Sequence, residues 1–250
     1  MDSTRGANGM NGMTTIGGVS AYRAAPSGEP RGAIIVIHEI WGLVDQITSV
    51  ADRWAAEGYL AIAPDILTHV GITPEVGEEL SVATKHPDEA VRTAMQPRLR
   101  EVLAPIRQPE YAAWALARLS AIVDELEDDP AVAGRIAVTG FCFGGTYSYA
   151  LAASDDRVVA AVPFYGTAPE RIEDISCPIL ALYGEIDPPL MEKLPEVREA
   201  MAAAGVDFTD VVYPGAMHAF FNDTNARTYH PEFAADAWAK ATAFVADRVG

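Results

Sequence analysis

The chain has 250 residues, half of them hydrophobic, with 35 acidic against 18 basic side chains and a formal net charge of −17. That length suits one sizeable α/β core, the apolar share excludes a disordered chain, and the negative surface would repel a phosphate backbone, so no nucleic-acid partner is expected. Two cysteines do not make a disulfide framework, and no CxxC or HExxH spacing points to a metal, so neither metal nor cofactor is expected.

In chain order, the opening "MDSTRGANGMNGMTT" is rich in Gly, Asn and Thr and lacks an apolar core. It is therefore not read as a secretory signal, and residues 1–13 are expected to form a loose tail. Residues 14–250 are read as a single α/β domain. "TTIGGVSAYRAA" alternates weakly and stops at "PSGEPRG", which suggests one or two edge strands and a turn. "GAIIVIH", residues 32–38, is a continuous apolar run of the kind expected from a strand buried on both faces. A helix over "QITSVADRWAAEG" and a strand over "YLAIAPD" follow.

Residues 66–108 break this rhythm and are expected to be an irregular excursion over the ligand-binding end. Beyond it come the amphipathic helix "EYAAWALARLSAIVDELEDD", the strand "GRIAVTG" and the helix "GGTYSYALAAS". The strands "VVAAVPFYG" and "PILALYGEID", the helix "LPEVREAMAAAG", the strand "DFTDVVYP" and the helix "FAADAWAKATAFVADRV" complete the chain. Such alternation gives a mostly parallel sheet with helices on both faces, whose ligands sit at the carboxyl ends of the strands. No apolar run approaches the roughly 20 residues that span a bilayer, so no membrane partner is expected, and a reducing cytoplasm fits the cysteine content.

At the junction of "RIAVTG" with the following helix stands Gly140-Phe141-Cys142-Phe143-Gly144. This is the G-x-S-x-G nucleophile elbow with cysteine in place of serine. A thiol there feels the positive end of the helix dipole, and the N–H of Phe143 points to where a tetrahedral oxyanion would form. A buried cysteine in a glycine-rich turn is the competing reading. The other groups weigh against it: Asp187 follows the strand "PILALYG" and His218 follows "DFTDVVYP". Nucleophile, acid, then histidine is the chain order of α/β-hydrolases, and all three fall at one rim of the expected sheet. His218 would take the thiol proton or hold the ion pair, and Asp187 would fix the imidazole. Cys177 lacks this context and reads as core. His69, His86 and His230 read as surface or helix-cap residues. His38 and Glu39 end the first buried strand at the same rim, where a carboxylate has little solvation.

"HEIWGL", "GYLAIAPD", "GFCFGG", "YGEIDP" and "HAFFND" together resemble the dienelactone hydrolase (carboxymethylenebutenolidase) family from about residue 15 to the C-terminus. The resemblance implies an α/β-hydrolase fold, a Cys142–Asp187–His218 triad, a Glu39 carboxylate that holds the resting thiol, and an oxyanion hole from the N–H groups of Ile40 and Phe143. Trp41 and Tyr165 lie next to these strand ends, as pocket lining or as packing. Where the dienelactone-cleaving members carry serine and arginine after the histidine, this chain has Ala219 and Asn222, and these two positions are counted with Trp41 and Tyr165 as candidate substrate-pocket residues. Arg92, Arg98 and Arg100 are candidates for a substrate-binding arginine from the excursion. The expected activity is cleavage of a small lactone or carboxylic ester through an acyl-enzyme. A thioesterase, another small-molecule hydrolase on the same scaffold and a noncatalytic ligand-binding module are the alternatives.

Overall fold

The computed structural model describes residues 11–250. Its strands are β1 (Gly12–Ile16), β2 (Val19–Ala24), β3 (Ala33–Ile37), β4 (Leu60–Pro64), β5 (Ile136–Phe141), β6 (Val158–Phe164), β7 (Ile179–Ile186) and β8 (Phe208–Met217). They join one sheet in the order β1-β2-β4-β3-β5-β6-β7-β8. The β1–β2 and β2–β4 pairs are antiparallel, and the rest of the sheet is parallel. The tail expected over residues 1–13 lies outside the described residues as far as residue 10. Its end differs from expectation, because Gly12 and Met13 pair with Arg23 and Tyr22 in the β1–β2 ladder.

The helices are α1 (Asp45–Ala56), α2 (Pro74–Lys85), α3 (Glu89–Val102), α4 (Pro109–Glu127), α5 (Phe143–Ser154), α6 (Pro188–Ala204) and α7 (Pro231–Val249). Side chains of a strand alternate between faces, and β3 shows both cores at once. Ile35 and Ile37 pack with Leu119, Leu151 and Met201 beneath α4, α5 and α6. Ile34 and Val36 pack with Trp54, Ala241 and Val245 beneath α1 and α7. β3 has all five of its residues buried, as a strand covered on both sides must. Among the described residues no helix is long and apolar enough to cross a membrane.

The irregular excursion expected over residues 66–108 is instead largely helical. Thr73 caps α2 by accepting from the Val76 N–H, with Pro74 at its first turn, and Asp88 caps α3 by accepting from the Ala90 N–H. The helices are hard to see in the sequence because the burial does not follow polarity. In α2 the buried residues are Gly77, Leu80 and Ser81, whereas Val82 is 57% exposed. α3 buries no residue fully and carries Pro97 in its interior.

Candidate active site

Cys142 occupies the single position between β5 and α5, with φ 56° and ψ −111°. A positive φ on a residue with a side chain costs on the order of 1–3 kcal/mol and persists only where its surroundings enforce it. Here the Cys142 N–H donates to the Phe164 carbonyl at 3.0 Å, and the Cys142 carbonyl accepts from the Thr146 N–H at 3.1 Å. Glycine permits the close approach that completes the turn. A Cβ on Gly144 would lie 2.1 Å from the Ile37 carbonyl oxygen, and one on Gly140 would lie 2.2 Å from the Gly144 oxygen. The amino end of α5 is thereby pressed onto β3 and β5, and Cys142 is left partly exposed. Cys177 is the opposite case: it is buried ahead of β7, and burial pushes its thiol up to about 12.

The pairing of β7 with β8 brings the next two groups together. Their register resumes at Ile186 opposite Met217 after an irregularity at Gly184, so Asp187 and His218 leave the sheet side by side. His218 Nδ1 lies 2.5 Å from Asp187 Oδ2. A carboxylate only accepts, so Nδ1 carries the proton and Nε2 is left for the sulfur. Burial opposes a charged imidazole. Asp187 and the neighbouring Cys142 sulfur outweigh it and raise the His218 pKa to about 10.

Glu39 is 4% exposed, and burial raises its pKa above the usual carboxylate range. Its carboxylate accepts from the Tyr165 hydroxyl at 3.3 Å and from Asn222 Nδ2 at 2.8 Å. The holding of the thiol that the resemblance implies for Glu39 thus has no counterpart among its hydrogen bonds in this structure; the carboxylate points to Tyr165 and Asn222. Asn222 Oδ1 in turn accepts from the Thr224 N–H and hydroxyl, and Lys85 Nζ donates to the Thr224 oxygen at 2.8 Å.

A cavity of about 320 Å³ opens on this cluster. Glu39, Ile40, Trp41, Cys142, His218 and Ala219 all line it. Tyr165 and Asn222, expected in the pocket, are 1% and 2% exposed and are not among its lining residues; they lie beneath it and secure Glu39. Phe143 is the first residue of α5, so its N–H is one of those a helix leaves without an internal acceptor. A larger cavity of about 520 Å³, between the loop after β6 and α6, includes none of Cys142, Asp187 and His218.

The remaining wall was not legible in the sequence. Thr84 and Lys85 from the end of α2, with Asn225 and Thr228, close the cavity opposite the strand ends. Among the described residues, the cation that lines the site is thus Lys85, and no arginine does. Arg92 donates to the carbonyls of His86 and Pro87 at the α2–α3 turn, Arg98 pairs with Glu79 at 3.1 Å, and Arg100 is exposed. No spacing signal marks Lys85 within a segment so rich in charge. The other histidines are accounted for by local structure: His230 caps α7, His86 accepts from the Asp88 N–H, and His69 stacks on Trp114.

A model of the dienelactone hydrolase family matches residues 19–248. A "Putative carboxymethylenebutenolidase" of Saccharolobus solfataricus is 33% identical over 245 residues, covering 91% of this chain and 93% of the relative. A protein of the same name from Escherichia coli is 32% identical over 237 residues, 87% of this chain and 78% of its own. Among solved structures, one described as a "Putative Dienelactone Hydrolase" from Klebsiella pneumoniae superposes with a TM-score of 0.79 at 31% identity, over 95% of this chain and 98% of that one. With the eight-stranded, mostly parallel sheet, these matches identify the fold as that of an α/β-hydrolase.

Proposed function

Because the chain belongs to the dienelactone hydrolase family, we propose that it hydrolyses a small carboxylic ester or lactone through Cys142 as nucleophile. One observation carries this reading: the Cys142 thiol and the His218 imidazole line a single cavity, and the buried Asp187 bonds to His218 behind it, which favours a protonated ring beside the sulfur. The Cys142 thiolate attacks the acyl carbon, and the carbonyl electron pair moves onto oxygen, facing the N–H groups of Ile40 and Phe143. Collapse expels the alkoxide, which takes the His218 proton and leaves a thioester on Cys142. Neutral His218 then removes a proton from the water that attacks the thioester carbon, and collapse breaks the C–S bond, releases the acid and restores the thiolate–imidazolium pair. Asp187 orients the ring and offsets its charge throughout. Lys85, half-buried in the opposite wall, suits an acyl or alcohol part that carries a negative group.

The test is a panel of short p-nitrophenyl esters, thioesters and lactones with wild type and Cys142→Ala. Turnover in wild type, abolished by iodoacetamide and absent from the variant, is the expected result, with Cys142 alkylated well before the buried Cys177. Full activity in Cys142→Ala would overturn the nucleophile. Ligand binding without alkylation-sensitive turnover would make the chain a binding module, and preference for the thioesters would make it a thioesterase.

A further inference from the structure

His38 is fully buried at the end of β3, one residue before Glu39, and the mechanism above gives it no proton to move. Both of its ring nitrogens are nevertheless engaged. Nε2 faces the Ile66 N–H at 3.3 Å and Nδ1 faces the Glu39 carbonyl oxygen at 2.7 Å. An N–H can only donate and a carbonyl can only accept, so the two partners demand the same neutral tautomer: Nδ1 protonated, Nε2 free to accept. Burial, which lowers the His38 pKa, agrees with a neutral ring.

The carbonyl that His38 holds belongs to the peptide whose other end is the N–H of Ile40. A peptide group is planar, so fixing the oxygen fixes the direction of that N–H. The Gly42 N–H donates to the same Glu39 oxygen at 3.2 Å. Two donors at the carbonyl also polarise the peptide and strengthen its N–H as a donor. A face of the ring meets the side chain of Phe143, the residue that carries the second donor. The His38 and Phe143 rings stack with centroids 5.9 Å apart and planes 2° from parallel, and the closely packed Gly144 sets the start of α5 against the His38 carbonyl. The Tyr111 hydroxyl donates to the Ile66 carbonyl at 2.8 Å and steadies the segment that holds Nε2.

We infer that His38 is a positioning residue for the oxyanion hole, aiming the Ile40 N–H through the Glu39–Ile40 peptide and keeping it in register with Phe143. This rests on the ester-hydrolase reading, and the experiment separates the two. The probe is p-nitrophenyl acetate, with the acylation rate constant read from the first release of p-nitrophenol. Iodoacetamide labelling of Cys142 serves as control, since alkylation needs the thiolate but develops no oxyanion.

In His38→Leu the acylation rate constant should fall at least roughly tenfold, given that a lost oxyanion donor costs on the order of 10²–10³. Labelling of Cys142 should stay within about twofold of wild type, because the thiolate itself is untouched. His38→Asn, which keeps a donor near the Nδ1 position, should restore most of the rate. Unchanged acylation in His38→Leu, or labelling that falls in step with it, would overturn the inference, as would equal loss in His38→Asn. Nitrogen NMR of the wild type decides the matter without any variant: His38 must show the Nδ1–H neutral tautomer across the active pH range, and an Nε2–H tautomer or an imidazolium would refute it. Failure of the wild type itself to show alkylation-sensitive turnover would instead sink the hydrolase reading.

Discussion

The strand-end rim and the α2–α3 hairpin face each other across one cavity and are held in different ways. At the rim, Glu39, Asp187 and Asn222 are 4%, 6% and 2% exposed, and each is tied by hydrogen bonds to a partner on another element. The hairpin has an exposed outer helix and meets the rim at Gly77, where a Cβ would lie 1.7 Å from the Trp41 carbonyl oxygen, and at Lys85, which donates to Thr224. Buried polar networks are costly to disturb, whereas exposed ion pairs contribute about 0–1 kcal/mol. In the proposed reaction the rim therefore holds the reacting groups, and the hairpin adds a wall that carries the charge of Lys85.

The sharpest test of a rigid rim is Asp187→Asn. It removes the negative charge and lets an amide N–H face Nδ1, which selects the wrong tautomer of His218, and should lower kcat roughly 10³–10⁴-fold with the fold intact, as read by ester kinetics and circular dichroism. A drop below tenfold would show that the acid is dispensable. Next is Gly144→Ala, whose Cβ would strike the Ile37 carbonyl. Overpacking against backbone should cost about 3 kcal/mol in urea unfolding.

Protonation sharpens the contrast further. The His218 pKa is raised from 6.5 to about 10 on folding. Its contribution to stability is therefore complete below pH 6.5 and is lost as pH rises through about 10. The difference in urea midpoint between wild type and His218→Gln should shrink over that window; a gap that widens would reverse the sign.

On the hairpin, Lys85→Met should raise KM for an anionic ester roughly fivefold, the equivalent of about 1 kcal/mol for one partly screened charge, while leaving a neutral ester unaffected. Equal effects on both esters would make Lys85 a packing residue. Smallest of all, Arg98→Ala breaks a pair whose side chains are 48% and 52% exposed, and should shift stability by less than about 0.5 kcal/mol without altering turnover.

Much of the rim was legible in the sequence. The elbow glycines, Asp187 after β7 and His218 after β8 all report local geometry, and local geometry is what a short motif encodes. The hairpin was not legible, because Gly77 and Ser81 are buried while Val82 is exposed, so apolar periodicity gives no helical face. The arginines of α3 drew attention as cations for the same reason. Charge marks a residue in a sequence, but only packing sets which way it faces, and Arg98 turns to Glu79 while Lys85 turns to the cavity.

By itself, then, the sequence determined the alternation of strands and helices, the two-sided burial of β3, and the chain order of cysteine, aspartate and histidine. Each is carried by neighbours within one element or by the order of elements. Only the tertiary structure decided what secures Glu39, whose partners Tyr165 and Asn222 lie 126 and 183 positions away, and which tautomer His38 holds through Ile66, 28 positions on. Those pairings form when sheet order and loop closure bring distant segments within hydrogen-bond reach, and no spacing along the chain records them.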